Sequence, residues 1–307
     1  MTDYQFFSLR ARTYELIPEP LEVFSYPMGD VTVRERNRVS DKDAPQVLLV
    51  SSAAPDWSVV YAWASVRADS PQRILVLPYL PSARGDKDTP SPARVNARLA
   101  ALSGITALIT IDPHSPVWLD ELGGISPEIQ VRTMDLPSLI AEHLRHNGYT
   151  GVIAPDKGAL DRAAQAAKAL RVPLHTATKQ RDPDTGKLTN YHAPDEVRGL
   201  PGRYLVVDDI CDGGGTFALL AQAFSGTDVE LDLWVTHGGF TKGVGNLMQH
   251  YREVHTTDSL PSARAALLEA RRIMEGSRFH MHLLHWQIVG AAVSVAEARP
   301  EGKVRHG

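Results

Sequence analysis

Residues 203–217, Arg-Tyr-Leu-Val-Val-Asp-Asp-Ile-Cys-Asp-Gly-Gly-Gly-Thr-Phe, restrict what this chain can fold into more than any other stretch. The run 204–207 has the length and β-branching of a buried parallel strand. It is predicted to stop at Asp208 and Asp209, where an open α/β sheet places its ligands. Gly213, Gly214 and Gly215 can take positive φ and bring amide N–H groups close to an anion, and Thr216 and Phe217 open an apolar helix whose N-terminus attracts phosphate. The carboxylates of Asp208 and Asp209 suit vicinal sugar hydroxyls, or a divalent metal between them. The stretch predicts a cradle for a sugar phosphate. An ordinary glycine-rich turn after a strand explains neither the paired acids nor the threonine.

With 307 residues the chain has room for two domains, each burying its own core. A net charge of −4 and the lack of a long basic run argue against a nucleic-acid surface. The single cysteine, Cys211, excludes an intramolecular disulfide framework and a multi-cysteine zinc site, and its place inside the loop reads as a small filler. The first 16 residues are too polar and acidic for a signal peptide, and no apolar run approaches membrane-spanning length. The expectation is a cytoplasmic protein with no membrane partner.

In chain order, residues 21–34 alternate around Gly29 and Asp30 as a hairpin does. Strand 46–50, helix 57–68 and strand 74–77 follow, the last running into Pro78-Tyr79-Leu80-Pro81-Ser82-Ala83-Arg84-Gly85-Asp86. Helix 93–101 leads to strand 107–111, which ends at Asp112-Pro113-His114, and helix 136–147 closes the first half. Strand 152–154 then runs into Pro155-Asp156-Lys157-Gly158, and Leu160, Ala163, Ala164, Ala167 and Leu170 recur at helical spacing, a core-facing helix with nothing catalytic. The polar run 177–187, with Lys179 and Arg181, reads as a mobile loop. The alternating His280, His282 and His285 have no cysteine or carboxylate near them in sequence, so that segment reads as a core element with some exposed histidines.

Asp-Asp-x-x-Asp-Gly-Gly-Gly-Thr after a strand resembles the signature loop of type I phosphoribosyltransferases. With the other motifs in order from about residue 21 to 261, the chain resembles the ribose-phosphate pyrophosphokinases (phosphoribosyl-diphosphate synthetases). The resemblance implies an α/β fold of two flavodoxin-like phosphoribosyltransferase-type domains, each a mostly parallel sheet flanked by helices. The first, 1–147, would bind ATP; the second, 148–307, the sugar phosphate, with the active site between them. It implies ATP contacts for Arg84 and Asp86, and for Tyr26 and Asp30 reaching a neighbouring subunit's nucleotide site, hence a homodimer or higher homo-oligomer. His114 and Asp156 would hold Mg²⁺, and Lys179 and Arg181 would be the catalytic cations of a flexible loop. Asp208 and Asp209 would hold the ribose hydroxyls, and Asp212, Gly213, Gly214, Gly215 and Thr216 the 5-phosphate. Departures from the family pattern are Asp30 for a glutamate, Gly85 for a glutamine, and a short segment 87–92 that puts the usual feedback control in doubt.

The implied reaction moves the β,γ-diphosphate of ATP to the 1-hydroxyl of ribose 5-phosphate, giving phosphoribosyl diphosphate and AMP. Other readings stay open on the sequence. ADP-ribose, as in NAD salvage, is a second acceptor, because three glycines leave the phosphate end open and Phe217, Tyr191 or Phe240 would be surfaces for its adenine. A phosphoribosyltransferase, or a non-catalytic regulatory homologue, is the remaining alternative.

Overall fold

The computed structural model describes residues 3–36, 41, 43–181, 188–273 and 278–298; the side chains of residues 180, 181 and 188–190 also lie outside the description. Packing divides the chain into two units, residues 1–134 with 284–307, and residues 135–283.

The first unit begins with β1 (Asp3–Arg10) and β2 (Glu15–Pro18), then a separate hairpin, β3 (Leu21–Ser25) and β4 (Val31–Glu35). The hairpin expected from alternation therefore forms, with Gly29 at φ 98° in its turn, where a side chain would be strained. Next come β5 (Gln46–Ser51), α1 (Trp57–Val66), β6 (Arg73–Val76), α2 (Pro92–Ala101), β7 (Ala107–Ile111), α3 (Val117–Ile125) and β8 (Gln130–Met134). The sheet order is β2-β1-β5-β6-β7-β8, parallel from β5 to β8 and antiparallel at β1 and β2. Asp56 caps α1 by accepting from the Ser58 amide, and Ser91 caps α2 with Pro92 at its first position, where the missing N–H costs nothing.

The second unit holds α4 (Leu136–Leu144), β9 (Gly151–Ala154), α5 (Leu160–Leu170), β10 (Leu174–Thr176), a hairpin of β11 (Thr178–Arg181) and β12 (Leu188–His192), and α6 (Asp195–Arg198). It continues with β13 (Gly202–Cys211), α7 (Gly215–Gln222), β14 (Val229–Gly238), α8 (Gly245–His250), β15 (Glu253–Thr257), α9 (Pro261–Ile273) and β16 (Phe279–His282). The parallel order β10-β9-β13-β14-β15-β16 reverses between β9 and β13. That reversal is the topological switch point, so the ligand crevice belongs at the carboxyl ends of those two strands. Tyr204, Leu205, Val206 and Val207 are fully buried, as their composition required, each contributing about 1.5–3 kcal/mol of burial.

The packing departs from the sequence division at residue 147 in two places. Helix α4 packs on α5 in the second unit, and the last helix, α10 (His285–Glu297), returns to β7 and β8 of the first. Among the described residues, no helix is long and apolar enough to cross a membrane.

Candidate functional site

The central strand overturns the expected stop at the paired acids. β13 continues through Asp208 and Asp209 to Cys211, because β14 keeps pairing with it as far as Gly238, whereas β9 pairs only with residues 204–206. The acids thus stand on a strand extension whose β9 side is open, at the switch point. Asp209 is 4% exposed and its carboxylate accepts from the Ile210 amide at 2.8 Å, as Asp208 accepts from the Asp209 amide at 2.9 Å.

Arg162 of α5 bridges the pair, 3.3 Å from Asp208 Oδ1 and 3.2 Å from Asp209 Oδ2. Helix α5 faces the core as expected, and it also sends one side chain to the site. Ala163, Ala166 and Ala167 are buried as its apolar stripe, but Leu160, assigned to that stripe, is exposed, and Arg162 faces the acids. Burial, then the Asp209 charge, pushes the Asp208 carboxyl up, and Arg162 opposes that only in part. One guanidinium facing two carboxylates leaves a site that gains from hydroxyl donors or a further cation.

Beyond Cys211 the chain turns into α7 through the three glycines. Gly214 is the N-cap at φ 76°, a conformation that favours glycine, and a Cβ there would lie only 3.2 Å from the Leu247 side chain. The cap has no side chain to offer the first-turn amides of α7, which leaves them pointing at a prospective anion. A Cβ on Gly213 would lie 3.2 Å from Cδ of Lys242, so the lysine stem covers this glycine and brings an ammonium to the loop. Asp212 accepts from the Thr241 hydroxyl at 2.6 Å, and the amides of Gly239 and Phe240 donate to the Cys211 carbonyl. The segment after β14 thereby fixes the loop. Burial pushes the Cys211 thiol up to about 12, with Asp212 and Asp208 adding to it, so it stays a neutral filler.

Asp156 follows β9 on the other side of the crevice. Its Oδ1 accepts from the amides of Gly158 and Ala159, and its Oδ2 pairs with Lys179 Nζ. Burial alone would raise its carboxyl; the Lys179 ammonium and the two amides together hold it below its ordinary value. Lys179 lies on β11, so the expected mobile loop is in part an antiparallel hairpin with β12. The side chain of Arg181 and residues 182–187 lie outside the described residues.

In the first unit Arg84 sits exposed in a short 3-10 turn, residues 83–85, with Asp86 half-buried after it. A Cβ on Gly85 would fall 2.3 Å from Pro92 Cγ, so the short 87–92 connection, which sets Pro92 against Gly85, leaves no room for a glutamine there. His114 is exposed just past β7, and Asp112 before it takes φ 44°, a strained conformation of the kind that collects at functional turns. In the β3–β4 hairpin Tyr26 and Asp30 are exposed, and Arg34, which belongs to none of the sequence motifs, lies 3.4 Å above the Phe24 ring and 5.0 Å from that of Tyr26.

Phe217, Tyr191 and Phe240 do not offer stacking surfaces. They are 3%, 2% and 6% exposed, taken up by the core of the second unit. Arg162 and Lys242 carried no sequence signal beyond their charge, since each reaches the loop from a separate element. An open cleft of about 400 Å³ lined by Gly202, Arg203 and residues 227–230 lies at the opposite, amino ends of β13 and β14 and has no part in this site.

No protein-family model matches the chain. It is similar to a ribose-phosphate pyrophosphokinase of Maricaulis maris (strain MCS10), 28% identical over 257 residues, covering 80% of this chain and 81% of that protein. A ribose-phosphate pyrophosphokinase of Pyrococcus abyssi (strain GE5 / Orsay) is 26% identical over 260 residues, 79% of this chain and 85% of the relative. The crystal structure of phosphoribosylpyrophosphate synthetase from Mycobacterium smegmatis matches with a TM-score of 0.72 and 20% identity over 94% of this chain and 93% of that one, which shows a shared fold.

Proposed function

We propose that this chain, a homologue of the ribose-phosphate pyrophosphokinases, transfers the β,γ-diphosphate of ATP to the 1-hydroxyl of ribose 5-phosphate and releases AMP. The observation that carries the reading is the β13–α7 turn, where an Arg162-bridged acid pair is followed by a glycine cap with open first-turn amides. Asp208 and Asp209 accept from the two ribose hydroxyls. The amides of residues 213–216 and the Thr216 hydroxyl hold the 5-phosphate, with Lys242 adding a positive charge and Asp212 keeping the loop in shape.

In the transfer, a bond forms between the anomeric oxygen and the β-phosphorus while the bond from that phosphorus to the α–β bridging oxygen breaks. The hydroxyl proton is lost and AMP departs with the bridging oxygen. The chain's work is positioning and charge neutralisation. Lys179 and Arg181 face the charge that builds on the transferring oxygens, and Lys179 is held ready beside the crevice by Asp156. Arg84 and Asp86 bind ATP. Tyr26 and Asp30, at the exposed tip of their hairpin, complete the nucleotide site of another copy beside the partner subunit's Arg84. A fully active monomer in sedimentation would contradict that arrangement.

Mg²⁺, bound with ATP, supplies charge neutralisation and orientation of the triphosphate. The imidazole of His114 and the carboxylate of Asp156 are the candidate protein ligands. Asp156 fits as a hard oxygen donor whose Oδ2 already faces a cation, the Lys179 ammonium.

Burial of Phe217, Tyr191 and Phe240 removes the adenine platforms an ADP-ribose acceptor would use, while a terminal phosphate dianion gains most from converging amides. The deciding experiment offers both acceptors at equal concentration with MgATP and follows the diphosphorylated products by mass spectrometry. Ribose 5-phosphate is expected to show the higher kcat/KM; a preference for ADP-ribose would overturn the acceptor and leave the transfer chemistry intact.

A further inference from the structure

The alternating histidines have no carboxylate near them in sequence. The fold supplies one. In the parallel β15–β16 ladder His255 lies opposite His280, and Glu253 precedes His255 by two residues on the same face. The two imidazoles stack with centroids 4.7 Å apart, and their Nε2 atoms lie 3.3 and 3.8 Å from Glu253 Oε2. One ligating atom from each of the three residues falls within 4.8 Å of the others.

We propose that Glu253, His255 and His280 form a site for a divalent transition metal of the zinc class, which ties the edge strand β16 to β15.

Three independent observations support it. First, both Nε2 atoms are enclosed yet make no aligned hydrogen bond, and His255 is only 2% exposed. Glu253 Oε2 is the near neighbour of both, and an ion between them would engage ring nitrogens that direct contact aligns poorly. Second, His255 Nδ1 lies 3.2 Å from His282 Nε2. In the tautomer where His255 donates its Nδ1 proton to His282, Nε2 carries the lone pair a metal needs, the arrangement in which an outer partner orients a metal-binding histidine. Third, Arg203 is shared between Asp232 and Glu253, its Nη2 standing 2.9 Å from Glu253 Oε2, and no other guanidinium pairs with Glu253 among the described residues. Two carboxylates against one guanidinium leave room for a further positive charge beside the two imidazoles.

A tetrahedral ion about 2.0–2.2 Å from each ligand requires ligand atoms about 3.3–3.6 Å apart. The His255–Glu253 pair meets this, and His280, with its side chain 42% exposed, has freedom to close the rest and leaves a fourth position for water. Two imidazoles and one carboxylate select zinc over magnesium, so this site is chemically separate from the nucleotide's metal. It also begins at the amino end of β15, away from the carboxyl-end sugar-phosphate loop.

The test is equilibrium dialysis of the chelator-treated full chain against Zn²⁺ alone, for wild type and for His280→Asn and His280→Gln, with folding checked by circular dichroism. Wild type is expected to bind one more zinc than either variant, or to bind that ion at least ~10-fold more tightly, as loss of a ligand or its support requires. Cobalt substitution of the wild type should give the intense visible bands of a four- or five-coordinate ion. Equal zinc binding by all three proteins, no binding by wild type at micromolar zinc, or only weak six-coordinate cobalt bands would overturn the proposal.

Discussion

Asp208 shows how far a residue's chemistry departs from its type. Burial and the adjacent Asp209 raise its carboxyl, so the folded chain keeps a proton that the unfolded chain releases at lower pH. A native state that binds more protons loses stability as pH rises, here from the ordinary aspartate range up through the raised value. Denaturant unfolding without ligands should therefore show wild type losing stability relative to Asp208→Asn between pH 5 and pH 8 (~one buried carboxyl's worth of pH slope,); a difference that does not change with pH would contradict this. Lys179 tests the charge argument. Removal of a cation that acts mainly in the transition state should lower kcat by ~10²-fold or more in Lys179→Ala with the fold intact, and near-normal kcat would reduce the lysine to a partner of Asp156. The paired acids, the three glycines and Lys179 were legible in sequence because each sits in a short contiguous motif. Arg162, Lys242 and Glu253 were not, because their partners are set by register and packing between distant segments.

At the scale of elements, strands were easier to foresee than their ends. The apolar run 204–207 marked β13, but its extension to Cys211 depends on pairing with β14, which no local pattern reveals. The run 177–187 reads as a loop by composition, yet its first arm is a strand because β12 returns to pair with it. The turn after β6 carries a sharper consequence of chain length. Pro92 stands where a side chain on Gly85 would go, so the Gly85→Gln variant, which brings the residue closer to the family pattern, should destabilise the chain by about 1–3 kcal/mol through overpacking. Denaturant unfolding of this variant and of Gly85→Gln/Pro92→Ala checks it. The double variant should recover part of the loss, and an unchanged single variant would refute the steric account.

Across the whole molecule, two units each built on a mostly parallel sheet carry the motifs in the order the sequence announced, at the ends of β6, β7, β9, β13, β14 and β15. The partition itself was less legible. Helix α10 follows the second unit in sequence and packs in the first, since an amphipathic helix does not name the sheet it will cover. If these motifs serve diphosphoryl transfer, the ATP bond between the α- and β-phosphates is the one that breaks. Phosphorus NMR of the purified chain with MgATP and ribose 5-phosphate reads this directly. AMP and a new sugar diphosphate are expected in equal amounts, dependent on the acceptor; formation of ADP, or nucleotide turnover indifferent to the acceptor, would rule diphosphoryl transfer out.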